Sequence, residues 1–90
     1  MGFSVLEVQP TPNPNAAKFI LDRPISPQSM SFFNVSAASG HPLAMALFAI
    51  PGVSSLLFLG DFVTVNKLPG ANWKEITRQV KQVLATDQTS

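Results

Sequence analysis

The reactive inventory of this 90-residue chain is short: one histidine, five carboxylates, six lysines and arginines, and no cysteine. Nucleophilic and acid–base chemistry need partner groups at set spacings, and none stands out. His41 precedes Pro42, and no Gly-x-Ser-x-Gly turn supplies a serine for it to activate. Glu7, Asp22, Asp61, Glu75 and Asp87 are scattered, with no pair at an acid–base spacing, and Asp61 reads as a turn residue. No glycine-rich phosphate loop is present. Without cysteine there is no thiolate nucleophile, no disulfide and none of the thiolate ligands that iron–sulfur clusters prefer. What remains for a metal is a weak, hard-ligand iron site made of His41 and carboxylates. These residues give no reason to expect an enzyme; a small-ligand pocket near the proline loop is the form an enzyme or ligand-binding function would take.

The most distinctive surface segment is TPNPNAAK, residues 11–18. Its prolines fix φ and remove donors, and asparagine side chains bond readily to nearby backbone. It reads either as a stiff strand connector or as a rigid recognition loop, which would lose little entropy on binding. In the second case Asn13, Asn15 and Lys18 supply the polar contacts.

Composition bounds the rest. Ninety residues make one domain, and a chain that is 46% hydrophobic and 12% charged should fold. A net charge of +1 argues against a nucleic-acid surface, which needs clustered basic residues. The first ten residues have no basic region followed by an apolar run, so a soluble cytosolic protein is expected. The longest apolar run, residues 42–53, is interrupted by Pro51 and Gly52 and is too short to cross a bilayer, so no membrane partner is expected. The Asn34-Val35-Ser36 sequon is read as chance.

The hydrophobic pattern places the elements. Residues 4–9 alternate as a strand, with Val5, Glu7 and Gln9 on one side and Leu6 and Val8 on the other. Residues 17–21 form its antiparallel partner. Residues 22–29 connect to a short third strand at 30–34, where Phe32 and Phe33 point to opposite faces, and residues 35–40 are a loop. A helix runs from Pro42 to about Ala49 and is stopped by Pro51 and Gly52. Residues 53–59 and 62–67 form a hairpin around Gly60-Asp61, where glycine first suits a type II′ turn. Asn72 begins the last helix, with Glu75 placed as in a capping box, and the tail beyond Thr86 should fray. The expected fold is a two-layer α+β domain, with a mostly antiparallel sheet and two helices on one face.

The helices differ. The last is amphipathic, with Trp73, Ile76, Val80, Val83 and Leu84 in one stripe and Lys74, Arg78, Lys81 and Gln82 outside it. The first has no polar side chain: Leu43, Ala44, Leu47 and Phe48 form a stripe, and Met45, Ala46 and Ala49 lie mostly off it. A helix apolar all round is covered by its own chain, here the segment 22–39, or by a partner. The second reading makes Met45 and Ala49 a contact face.

Two segments resemble a known family. The first is Thr11-Pro12-Asn13-Pro14-Asn15 with Lys18-Phe19. The second is Pro42-Leu43-Ala44, Leu47-Phe48, Ile50 and Gly52-Val53, followed by Asp61-Phe62-Val63-Thr64-Val65 and Lys67. Together they are similar to the N-terminal domain of Nfu/NifU-type iron–sulfur cluster scaffold proteins, and the likeness spans nearly the whole chain, least well over residues 22–39. The resemblance implies an accessory or partner-docking domain of iron–sulfur cluster assembly, bound to assembly or client proteins. Family members commonly carry a following domain whose Cys-x-x-Cys motif holds the nascent cluster. The resemblance therefore implies that this chain binds no cofactor itself and meets a cluster only through a partner or a missing Cys-x-x-Cys domain. At the position of His41 the family often has serine as a helix cap, which leaves His41 or Gly40 to cap here.

Overall fold

A computed structural model describes residues 2–86; the expected frayed tail at 87–90 lies outside the described residues. The strands are β1 (Val5–Pro10), β2 (Ala16–Leu21), β3 (Ser26–Phe32), β4 (Val53–Gly60) and β5 (Phe62–Lys67). The helices are α1 (Pro42–Phe48) and α2 (Trp73–Thr86), with a 3₁₀ turn at Val35–Ala38. All four strand pairings are antiparallel, in the order β1-β2-β5-β4-β3. One face of the sheet carries both helices, so the two-layer α+β expectation holds.

Between the layers lies one apolar cluster. The sheet contributes Phe19, Leu21, Leu56, Phe58, Val63 and Val65, α1 contributes Leu43 and Leu47, and α2 contributes Ile76, Val80 and Leu84. Each such side chain gives about 1.5–3 kcal/mol on leaving water, which is what fixes the helices to the sheet. Alternation along the central strands puts Lys18, Ile20, Phe62 and Thr64 on the opposite, uncovered face.

The β4–β5 turn is as expected. Leu59 pairs with Phe62 across Gly60-Asp61, Gly60 has φ 58°, and among the described residues none other than glycine has positive φ, which is the type II′ pattern. The first strand departs from strict alternation. Val5 pairs with Leu21 but Glu7 pairs with Ile20, so Leu6 is an extra, bulged residue. The bulge rephases the strand: Val5 and Val8 both pack on the core, while Leu6 is 67% exposed. The expected partition of Leu6 with Val8 is corrected accordingly.

The third strand begins at Ser26, not Met30, and ends at Phe32. Pro27 hides the strand signal in the sequence, but β3 lies at the edge, where a missing donor is tolerated. Phe32 is buried and Phe33 is 79% exposed, facing apart as expected. The loop expected at 35–40 contains the 3₁₀ turn, which Asn34 caps by accepting from the Ala37 N–H at 2.9 Å. That turn packs against α1 and buries Ala38, so part of the segment 22–39 does cover the first helix. Met45, Ala46 and Ala49 remain exposed.

Both helices are capped by a side chain. His41 Nδ1 accepts from the Ala44 N–H at 3.2 Å, and its ring meets Phe32 and Phe58 edge-on with centroids 5.3 Å away. Asn72 Oδ1 accepts from the Lys74 N–H at 2.8 Å. The capping-box expectation for Glu75 is half met, because its carboxylate is drawn to Arg78 at 2.7 Å.

Candidate functional site

The loop at residues 11–15 is fixed by its own polar groups. Backbone leaving β1 at Pro10 must reverse into β2 with few donors, because Pro12 and Pro14 have no N–H. Side chains take over that work. The Thr11 hydroxyl accepts from the Asn13 N–H at 3.2 Å and sits 2.9 Å and 3.0 Å from the Asn13 and Ala16 carbonyls. Asn13 Oδ1 accepts from the Asn15 N–H at 2.9 Å, and the Ala16 N–H donates to the Asn13 carbonyl at 3.0 Å. This is the Asx-turn geometry that alternating Asn and Pro favours.

Two long-range anchors tie the loop to the body. Asn15 takes the Lys67 N–H on its carbonyl at 2.7 Å and the Lys67 ammonium on its Oδ1 at 3.0 Å. The Trp73 indole N–H, at the first turn of α2, donates to the Pro14 carbonyl at 2.9 Å. The Lys67 ammonium also lies 5.8 Å from the centre of the Trp73 ring, within cation–π range.

Between this loop and α2 is a cleft of about 330 Å³, lined by Val8, Pro10, Thr11, Asn13, Pro14, Ala16, Ala17, Trp73 and Thr77. Its walls are mostly aliphatic or aromatic, and its polar groups come from the loop and from Thr77. A concave apolar site with a few placed polar groups is the usual form of a recognition pocket.

The structure brings together only some of the residues singled out from the sequence. Asn13 and Asn15 share the loop, and both spend their side-chain oxygen on holding it. Among the described residues neither carboxamide NH2 has an acceptor. Lys18 lies away from the cleft on the uncovered face, with its ammonium 4.1 Å from the centre of the Phe62 ring. Met45 and Ala49 are one turn apart on the outside of α1, a separate surface. His41 is committed as a cap between two phenylalanines. Among the described residues no three of His, Cys, Asp and Glu gather as a metal would need, so the iron alternative has no donor set there.

Sequence reasoning missed Trp73, Thr77 and Lys67 as site residues. Helical spacing puts Trp73 in the core stripe, yet its indole N–H needs a partner when half-buried, and that need is the available signal.

Fold and site together define a small α+β domain with a preformed loop over an apolar cleft. The chain belongs to the family described as scaffold protein Nfu/NifU N terminal, whose model matches residues 6–90. A human relative, NFU1 iron-sulfur cluster scaffold homolog, mitochondrial, is 44% identical over 66 residues, covering 72% of this chain and 26% of the human protein. Other curated relatives are likewise matched over a small share of their own length, for example 24% of one and 30% of another. The solution structure of a NifU-like protein from Saccharomyces cerevisiae superposes with a TM-score of 0.78 at 27% identity, covering 93% of this chain and 76% of that one. The crystal structure of protein SAV1430 from Staphylococcus aureus gives a TM-score of 0.77 at 26% identity, covering 89% of this chain and 96% of that one.

Proposed function

We propose that this domain is a protein-docking unit of iron–sulfur cluster assembly, non-catalytic and without cluster ligands of its own. The observation that carries the reading is the loop at 11–15, held by Thr11, Asn13, Asn15, Lys67 and Trp73 before any partner arrives. A surface already fixed in its binding shape loses little entropy on association. The names of the relatives support the pathway, and the lack of cysteine in the chain supports the absence of its own cluster ligands. On this reading assembly or client proteins are the partners, and a cluster is cargo met through them or through a Cys-x-x-Cys domain. The carboxamides of Asn13 and Asn15 make the primary contacts; Lys18 and the Met45–Ala49 face are secondary ones.

Affinity capture from a lysate of the source organism, read by mass spectrometry, tests this. Removing Asn13 or Asn15 would undo the loop itself, so the control bait is Thr77→Tyr, which fills the cleft from α2 and leaves the loop bonds in place. The native bait is expected to retain iron–sulfur assembly or client proteins and the Thr77→Tyr bait to lose them, with circular dichroism confirming that both are folded. Retention of none by the native bait sinks the reading. The cytosolic placement is carried as a proposal too; fractionation of source cells tests it, with the mitochondrial name of the human relative marking the competing outcome. The cleft volume favours one second reading, a small apolar ligand, because about 300 Å³ is the lower end of ordinary ligand pockets.

A further inference from the structure

We propose that the cleft beside α2 takes an acidic peptide segment that inserts one apolar side chain. This rests on the docking reading and names the chemistry of the partner. The apolar half of the argument is the lining: Val8, Pro10, Pro14, Ala17 and Trp73 offer contacts that favour a Leu or Phe side chain. Among the described residues no charged side chain lines the cleft, so a small bare anion has no buried counter-charge there.

The acidic half comes from the rim. Lys74, Thr77 and Lys81 recur at helical spacing on α2, so the two lysines flank the residue that lines the cleft. Both are exposed, and the ion pair on this helix, Arg78–Glu75, leaves both out. Lys67 adds a third positive charge over the Trp73 ring. Of the described carboxylates only Glu75 is on α2, and its charge is met by Arg78. Glu7 accepts from Gln9 on β1, Asp22 accepts from the Ser4 N–H, Asp61 is in the hairpin turn, and Glu75 is with Arg78. The cleft therefore sits in a positive local field on a chain of net charge only +1. Such a field selects and steers a negatively charged partner. Three cations around one apolar notch suit a short acidic segment with an anchor; a nucleic acid would need a longer basic track and more stacking surfaces.

Trp73 is the sole tryptophan, so its emission reports on the cleft directly. The probe is a synthetic octapeptide with a central Leu-Phe pair flanked by glutamates. The comparison peptides replace the glutamates with lysines, replace them with serines, or replace Leu-Phe with Gly-Ser. The glutamate peptide carrying Leu-Phe is expected to give a saturable change in emission that weakens as salt rises. The comparison peptides should bind at least about tenfold more weakly, and the Lys74→Glu/Lys81→Glu double variant should weaken the acidic peptide by about tenfold. Absence of a saturable change overturns the proposal, as does equal binding of the serine- or lysine-flanked peptide, or native-like binding by the charge-reversed variant. Equal binding of the serine-flanked peptide would point to an apolar ligand instead. Should the octapeptide fail while the native bait still captures assembly proteins and Thr77→Tyr does not, the docking reading stands and the acidic chemistry falls. Should the octapeptide bind while capture fails, the cleft chemistry stands and the pathway falls.

Discussion

The two helices bury themselves equally well and present opposite outer surfaces. α1 has 7 residues and α2 has 14, yet Leu43, Ala44 and Leu47 on the first are as deeply buried as Ile76, Val80 and Leu84 on the second. Outside, α1 shows Pro42, Met45 at 48% exposure, Ala46 and the adjoining Ala49, none of them charged. α2 shows lysines around a shaped notch. A flat apolar face accepts many partners, because methionine adapts and alanine lets a backbone approach. A notch with one sign of charge on its rim discriminates among them. The contrast separates what holds the helices in place, which they share, from what they can recognise, which they do not.

The largest effect tests the shared part. Leu47→Ala and Leu84→Ala each remove a fully buried side chain and should each cost about 2–5 kcal/mol in urea unfolding. A large loss at one and a small loss at the other would break the equivalence. Next comes the junction between the helices. Gly52 has φ 96°, and a Cβ there would stand 2.8 Å from the Ala71 Cβ and 3.2 Å from Ile76 Cδ1. Gly52→Ala should therefore cost about 1–3 kcal/mol, from the left-handed backbone and the crowding together. Gly60→Ala carries only the backbone part, because no atom of the described residues lies within 4 Å of its Cβ position.

The caps come third. Asn72→Ala should cost about 1 kcal/mol. His41→Ala should cost more, about 1–2 kcal/mol, because it also removes the ring contacts with Phe32 and Phe58. His41→Asn restores the cap without the ring, so its midpoint should fall between native and His41→Ala; a native-like midpoint would mean the ring contacts add nothing. The smallest stability effects belong to the outer surfaces. Met45→Lys/Ala49→Lys and Lys74→Glu/Lys81→Glu should each shift unfolding by no more than about 0.5 kcal/mol per site. Their effects on binding are what separates them: the charge reversals should weaken the acidic octapeptide and the α1 pair should not.

Much of this was legible in the sequence where one local rule sufficed. The β4–β5 turn followed from Gly60-Asp61, the end of α1 from Pro51 and Gly52, and the α2 stripe from helical spacing. The misreadings occurred where a second rule competed. At Leu6 a bulge overrode alternation, and nothing in the pattern marks where an extra residue will sit. At Ser26 a proline read as a break was admitted because its strand is at the edge, which depends on topology. The site was half legible. Asn13 and Asn15 stood out by composition, but their roles inside the loop depend on Lys67 and Trp73, which lie 52 and 59 residues from their partners along the chain. No local pattern encodes contacts of that range.

The bulge at Leu6 has one more consequence. An open sheet of five strands has two bare margins, each a row of backbone donors and acceptors that could template the same strand from another molecule. Both margins here are spoiled. The β1 margin is kinked at Leu6 and ends on Pro10, while the β3 margin contains Pro27 within an irregular stretch between Ser26 and Met30. The interior strands carry no proline, and the one irregularity among their mutual pairings is at the start of β4, between Val53 and Ser55. The same irregularities that made the outer strands hard to read from sequence guard this apolar domain against stacking edge to edge into fibres.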